Sequence, residues 1–189
     1  MKKLVFFASG SGSNFQSVID SIKNNDISAS ISGLITDNRE AGALERARKN
    51  NIPTAVIPFS EDNKFSSELK KQLQKWAPDL IVLAGYLKKI PDSVIELYKD
   101  RIINIHPSLL PKYGGKGFYG QKVHKAVIEN GDSVSGCTVH FVNSEYDRGS
   151  IIKQKKVPVL PDDTPDILGK KVLKEEHLLL PEVIKQLIQ

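Results

Sequence analysis

Lys3-Leu4-Val5-Phe6-Phe7-Ala8-Ser9-Gly10-Ser11-Gly12-Ser13-Asn14-Phe15 decides the architecture of this chain. Leu4–Ala8 is an apolar run of strand length, too short for the hydrophobic region of a secretory signal, and reads as a first strand. Ser9–Asn14 is a glycine-rich loop, and a helical pattern follows over Phe15–Lys23. Strand, loop and helix in that order open an α/β fold. Such a loop brings backbone N–H groups up to an anion, and the helix start adds partial positive charge. Phe15 stands where a dinucleotide fingerprint wants a third small residue, which argues against a pyrophosphate, and no Walker lysine follows. Two readings remain: a single-phosphate site, or a glycine-rich turn with a Ser/Asn helix cap. The first is preferred.

Outward from this unit the alternation continues. Ile31–Thr36, Ala55–Ile57, Leu80–Ala84 and Ile102–Ile105 read as strands, with helices over Ala41–Lys49, Phe65–Lys75 and Ser93–Tyr98 between them. The pattern predicts a Rossmann-like, mostly parallel sheet flanked by helices. Phe65, Leu69, Leu73 and Trp76 recur at helical spacing and form a core-facing stripe. Asp37 follows the second strand, where dinucleotide enzymes bind a ribose. Its spacing to Glu40 favours instead an N-cap for the next helix, completed as a capping box.

After Pro111 the pattern changes. A glycine-rich loop, Tyr113–Gly120, precedes a helix around Gln121–Glu129. Two extended runs, Ser135–Val142 and Ile151–Val157, flank the turn Asp147-Arg148-Gly149 and predict antiparallel edge strands. Thr164 as N-cap and Pro165 behind it start a helical tail through Leu187. No repeat or linker interrupts the chain. One domain is expected over 1–189, with a phosphate- and nucleotide-binding half at 1–100 and a catalytic half at 101–189.

Composition narrows the classes of function. At 189 residues, with 40% hydrophobic and 26% charged residues, the chain is an ordinary globular one. It has no apolar run of about eighteen residues, so no membrane span is expected. Cys137 is the single cysteine and cannot form an internal disulfide, which fits a reducing cytoplasm. The net charge of +5 favours anionic partners. The lysines are scattered rather than interleaved with aromatics, so a small anionic molecule explains the charge better than nucleic acid does.

The second informative stretch is Asn104-Ile105-His106-Pro107-Ser108-Leu109-Leu110-Pro111, which follows the apolar Ile102-Ile103. Asn104 and His106, two apart on a strand, point to one face and converge at the sheet edge where open α/β folds bind ligands. The prolines stiffen the exit. A carboxamide beside an imidazole can hydrogen-bond a developing oxyanion and move a proton, as acyl transfer requires. It also fits a hydrogen-bonded Asn and a half-buried structural His. Asp147 reads as an ordinary turn aspartate unless the turn folds back on His106, where a carboxylate would raise the imidazole pKa. His124, His140 and His177, taken singly, read as structural. Four His and one Cys show no metal-ligand spacing, so no metal is expected.

The glycine loop, the Asn104–Pro111 motif and the Asp147 turn, in that order, resemble the phosphoribosylglycinamide formyltransferase family of folate-dependent formyltransferases. The resemblance runs from Lys3 into the final helix. It implies that Ser11, Gly12, Ser13, Asn14, Pro107 and Glu176 bind phosphoribosylglycinamide, Glu176 through the ribose hydroxyls. It implies Asn104, His106 and Asp147 as the catalytic trio. Folate, in the 101–189 half and beyond, would lie against Tyr86, Leu87, Lys88, Lys89, Ile90, Asn104, Val142 and Asp147, with Lys64 the basic residue expected to approach it. Gly114–Gly120 looks several residues longer than in many members, which stretches the spacing from His106 to Asp147.

The implied reaction is direct attack of the substrate amine on the formyl carbon of 10-formyltetrahydrofolate, a co-substrate, in purine biosynthesis. Asn104 and protonated His106 would hydrogen-bond the formyl oxygen, each donor contributing about 10²–10³ in rate. Asp147 would keep His106 charged and help relay the amine proton. The implied partners are these two small molecules, with neither nucleic acid nor membrane; a homodimer is compatible. A methionyl-tRNA formyltransferase would need a further C-terminal domain, and a formyltetrahydrofolate hydrolase an N-terminal regulatory domain, for which no room is expected. A nucleotide-binding module without catalysis and a small NAD-dependent oxidoreductase are the alternatives of other classes; Phe15 speaks against the second.

Overall fold

Alternate residues of the first apolar run face opposite sides of a sheet, and both sides are covered. Leu4, Phe6 and Ala8 join one buried cluster, whereas Val5 and Phe7 join another. Burial on both faces is why the run is continuous rather than alternating in polarity. The computed structural model describes residues 1–189. Its elements are β1 (Lys2–Phe7), α1 (Ser13–Lys23), β2 (Ala29–Thr36), α2 (Gly42–Lys49), β3 (Thr54–Val56), α3 (Asn63–Trp76), β4 (Leu80–Leu83), α4 (Asp92–Leu97), β5 (Ile102–His106), α5 (Gln121–Glu129), β6 (Val134–Phe141), β7 (Ile151–Pro158) and α6 (Pro165–Ile188).

The strands form one sheet in the order β3-β2-β1-β4-β5-β6-β7. The first five are parallel; β6 and β7 are antiparallel at one edge, as the alternating late segments predict. The larger cluster lies on the face covered by α1, α2, α5 and α6, and the smaller on the face covered by α3 and α4. The chain leaves β1 toward β2 on one side and later returns to β4 on the other. The crevice at this reversal, outside the carboxyl ends of β1 and β4, is where ligands bind in such sheets.

Local expectations hold with small shifts. Phe65, Leu69 and Leu73 are buried, and Trp76 lies over β2, where a Cβ on Gly33 would run into its ring. Thr164 caps α6 by accepting the Ile167 N–H at 3.3 Å. One expectation is corrected. Asp37 does not cap the helix after β2, because α2 begins only at Gly42 with Ala41 as its N-cap. The Asp37 carboxylate instead accepts the Ser9 hydroxyl at 2.6 Å, tying the end of β2 to the end of β1.

Candidate active site

The glycine loop takes its shape from its neighbours. Gly12 is the N-cap of α1 at φ 71°, a left-handed conformation, and no side chain caps the helix. A Ser/Asn cap is therefore not what the loop provides. The first intrahelical bond runs from Gln16 N–H to the Gly12 carbonyl, so the N–H groups of Ser13, Asn14 and Phe15 precede it. Ala43 N–H donates to the Gly10 carbonyl at 3.1 Å, and Arg46 Nε to the Ser11 carbonyl at 2.8 Å, which anchors the loop on α2. Asn14 turns its side chain away from the loop and donates to Glu176 Oε2 at 2.7 Å. Burial pushes the Glu176 carboxyl up to about 7, against the lowering effect of that bond.

On β5, Ile103 and Ile105 join the larger cluster and Ile102 the smaller, so Asn104 and His106 face the side of α3 and α4. His106 is buried, and its Nε2–H donates to the Tyr113 carbonyl at 2.8 Å. Its Nδ1 lies 3.6 Å from Asp147 Oδ2. Asp147 sits at φ 55° in the turn between β6 and β7 and folds back onto β5. The approach needs Gly149, where a Cβ would collide with the Phe141 carbonyl. Asp147 also accepts the Gly115 N–H at 2.9 Å, so the glycine-rich loop after β5 buttresses this carboxylate.

Electrostatics refine the expected roles. Burial holds the His106 pKa below the ordinary histidine value and outweighs Asp147 and the Tyr113 carbonyl, which both raise it. The unliganded imidazole is thus neutral near pH 7, with its proton on Nε2 and a bare Nδ1, rather than charged. Burial alone would raise the Asp147 pKa, but His140, His106 and the Gly115 N–H together bring it below the usual carboxylate value. Asp147 remains ionised.

Sequence reasoning took His140 as structural, yet it is buried in this cluster. It stands directly opposite Asn104 in the β5–β6 ladder, with Nε2 3.1 Å from Asn104 Nδ2 and 3.6 Å from Asp147 Oδ1. Only the strand pairing reveals this.

These groups line one cleft of about 920 Å³ along the carboxyl ends of β1, β4 and β5. Ser11, Gly12, Ser13, Asn14, Pro107 and Glu176 are in its wall, as are Tyr86, Leu87, Lys88, Lys89, Ile90 and Val142 with the Asn104, His106, Asp147 trio. Lys64 is not; it lies in the first turn of α3, outside the cleft wall. Tyr86 packs edge-on against Phe7, and Lys88 sits over the Phe59 ring and 3.9 Å from Asp37. No group of three or more His, Cys, Asp or Glu is arranged to hold a metal ion. No helix is long and apolar enough to cross a membrane.

The formyl transferase family matches residues 2–184. The chain is 46% identical over 187 residues to the chloroplastic phosphoribosylglycinamide formyltransferase of Arabidopsis thaliana, which covers 97% of this chain. It spans 64% of that relative's length. To the phosphoribosylglycinamide formyltransferase of Bacillus subtilis (strain 168) it is 40% identical over 191 residues, 100% of this chain and 95% of the relative. Among solved structures, glycinamide ribonucleotide transformylase 1 from Geobacillus kaustophilus superposes with a TM-score of 0.92 at 36% identity, over 100% of both chains.

Proposed function

The chain belongs to the formyl transferase family, and on that premise we propose that it transfers the formyl group of 10-formyltetrahydrofolate to the amine of 5-phosphoribosylglycinamide in purine (IMP) biosynthesis. The observation that carries this reading is the cleft itself. It joins an anion-suited loop, beside α1 and α6, to a buried His106–Asp147 pair at the end of β5. The phosphate lies on the backbone N–H groups after Gly12, and the ribose hydroxyls reach Glu176. The pterin and benzoyl parts of the folate lie against Tyr86–Ile90 and Val142, on the side of α4. Lys64, outside the cleft wall, has no part in this reading. The unpaired Cys137 suits a reducing cytoplasm.

The chemistry follows from the protonation states. The amine lone pair attacks the formyl carbon, a C–N bond forms, and the carbonyl π pair moves onto oxygen. The bare Nδ1 of His106 takes a proton from the nitrogen that has become positive. The resulting imidazolium, stabilised by Asp147 at 3.6 Å, donates toward the formyl oxygen. As the intermediate collapses, the bond from carbon to N10 breaks and N10 receives the proton. One proton passes from the amine to N10 by way of His106, and no group is oxidised or reduced. No nucleophilic side chain is needed, so no formyl-enzyme forms.

The test is a formyl-transfer assay with both small molecules, run beside thermal unfolding with each of four ligands. Turnover, with protection by the ribonucleotide amine and by folate, is expected. Protection by NAD or charged tRNA instead, without turnover, overturns the reading.

A further inference from the structure

Three consecutive residues of the loop after β5 hold both members of the His106–Asp147 pair. The Tyr113 carbonyl faces His106 Nε2 at 2.8 Å, and the Gly115 N–H donates to Asp147 Oδ2 at 2.9 Å. Between them, a Cβ on Gly114 would lie 2.5 Å from Leu110 Cδ2 and 3.2 Å from Asp147 Cβ, so this strap runs flush against the pair. Its course sets where the imidazole and the carboxylate point. It also carries a conformation that needs support. Tyr113 is at φ 55°, left-handed and uncommon for an aromatic residue, and such a backbone persists only where its surroundings hold it.

Two polar anchors supply that hold. On the side nearer β5, Ser108 Oγ donates to the Lys112 carbonyl at 2.6 Å, and Thr138 Oγ1 on β6 donates to the Ser108 carbonyl at 2.6 Å. At Tyr113 itself the anchor is Asp132, in the turn between α5 and β6. Asp132 Oδ2 accepts the Tyr113 hydroxyl at 2.7 Å, and Lys112 Nζ donates to the two carboxylate oxygens at 2.6 and 2.7 Å. Neither Asp132 nor Tyr113 is in the cleft wall. We propose that Asp132 is a positioning residue, which accepts the Tyr113 hydroxyl to hold the strap in its left-handed course and so keeps an acceptor on His106 and a donor on Asp147.

This inference rests on the reaction proposed above and adds a part to it. When His106 takes up the amine proton, both ring nitrogens carry hydrogen, and the Tyr113 carbonyl accepts from Nε2–H. That bond raises the His106 pKa, so a strap that drifts away makes the ring less basic. The titratable groups that act on the ring directly are Asp147, His140 and His124. Asp132 reaches it through the strap, its own charge being met by Lys112.

Four variants test it. Y113F deletes one oxygen and leaves every charge in place, whereas D132A deletes the acceptor. A reacting group misplaced by about 1 Å costs on the order of 10²-fold; with the Ser108 anchor intact, each variant should lower kcat about tenfold. KM for both substrates should stay within about threefold, since the cleft wall is unchanged. The His106 titration followed by NMR should move to lower pH in both. D132N, whose Oδ1 still accepts the hydroxyl, should recover most of kcat, because the Lys112 ion pair it loses is exposed and of little weight. In the Y113F background D132A should cost less than about twofold, because it acts through the same bond. A folded Y113F with wild-type kcat and an unmoved His106 titration overturns the proposal. So does a D132A penalty equal in the wild-type and Y113F backgrounds, or a D132N no more active than D132A. The wild-type assay is read separately: absent turnover refutes the proposed reaction, while the His106 titrations still decide whether Asp132 holds the strap.

Discussion

Replacing Gly12 by alanine strikes the glycine loop before α1 at the point where backbone and packing constraints coincide. Gly12 sits at φ 71°, and a Cβ there would lie 2.7 Å from Ala43 Cβ and 2.9 Å from Ala43 Cα. The left-handed conformation costs an L-residue roughly 1–2 kcal/mol. Forcing a methyl group against the backbone of α2 adds about 1–3 kcal/mol, since Ala43 is fully buried and held by its bond to the Gly10 carbonyl. The sum is about 2–5 kcal/mol, and at this chain length each kcal/mol moves Tm by roughly 2–4 °C. A fall on the order of 10 °C follows. Relief of the clash would also draw the loop away from α2, so ribonucleotide affinity should drop while folate affinity stays near wild type. Gly10→Ala is the internal control, because nothing lies within 4 Å of its Cβ. Scanning calorimetry and titration calorimetry with each substrate measure both effects. If Gly12→Ala melts within about 2 °C of wild type and binds the ribonucleotide normally, the strain argument and the loop assignment are both wrong.

Two further outcomes are expected. Asp147→Asn removes a charge that raises the His106 pKa, so the His106 titration followed by NMR should move further down, and kcat should fall by about 10²–10⁴ as proton transfer is lost; an unmoved titration with normal turnover would return Asp147 to a plain turn residue. Glu176, pushed up to about 7 from the ordinary 4.5, keeps its proton when folded over a range where the unfolded chain has lost it. Folding stability from this group therefore declines as pH rises from about 4.5 to about 7, and Glu176→Gln, which cannot ionise, should remove that slope in urea titrations across the same range. A wild-type slope that persists in Glu176→Gln would show that another group carries it.

Much of the architecture was legible because its signals are local. Leu4–Ala8 and Ile102-Ile103 are apolar at every position, as strands buried on both faces must be, and the stripe Phe65, Leu69, Leu73 repeats with the period of one helix. The glycine loop was legible as a turn from strand to helix for the same reason: its neighbours in sequence are its neighbours in space. Asn104 and His106 were read as a pair because a strand places alternate residues on one face. Glu176 and the Tyr86–Ile90 segment came from resemblance to a family, not from any pattern in the residues.

What only the tertiary structure decided are the contacts between elements far apart in the chain. Asp147 meets His106 across 41 residues of sequence, Asn14 meets Glu176 across 162, and His140 meets Asn104 across 36. None of these pairings has a period or a spacing that a sequence displays, since each depends on which strands become neighbours in the sheet or, for Asn14 and Glu176, on the packing of α1 against α6. Asp37 is the converse case. Its spacing to Glu40 suits a capping box, yet the Ser9 hydroxyl at the end of the adjacent strand claims the carboxylate. The charge on His106 was likewise beyond reach of sequence, because it is the balance of burial against a carboxylate, and burial exists only once the chain has folded.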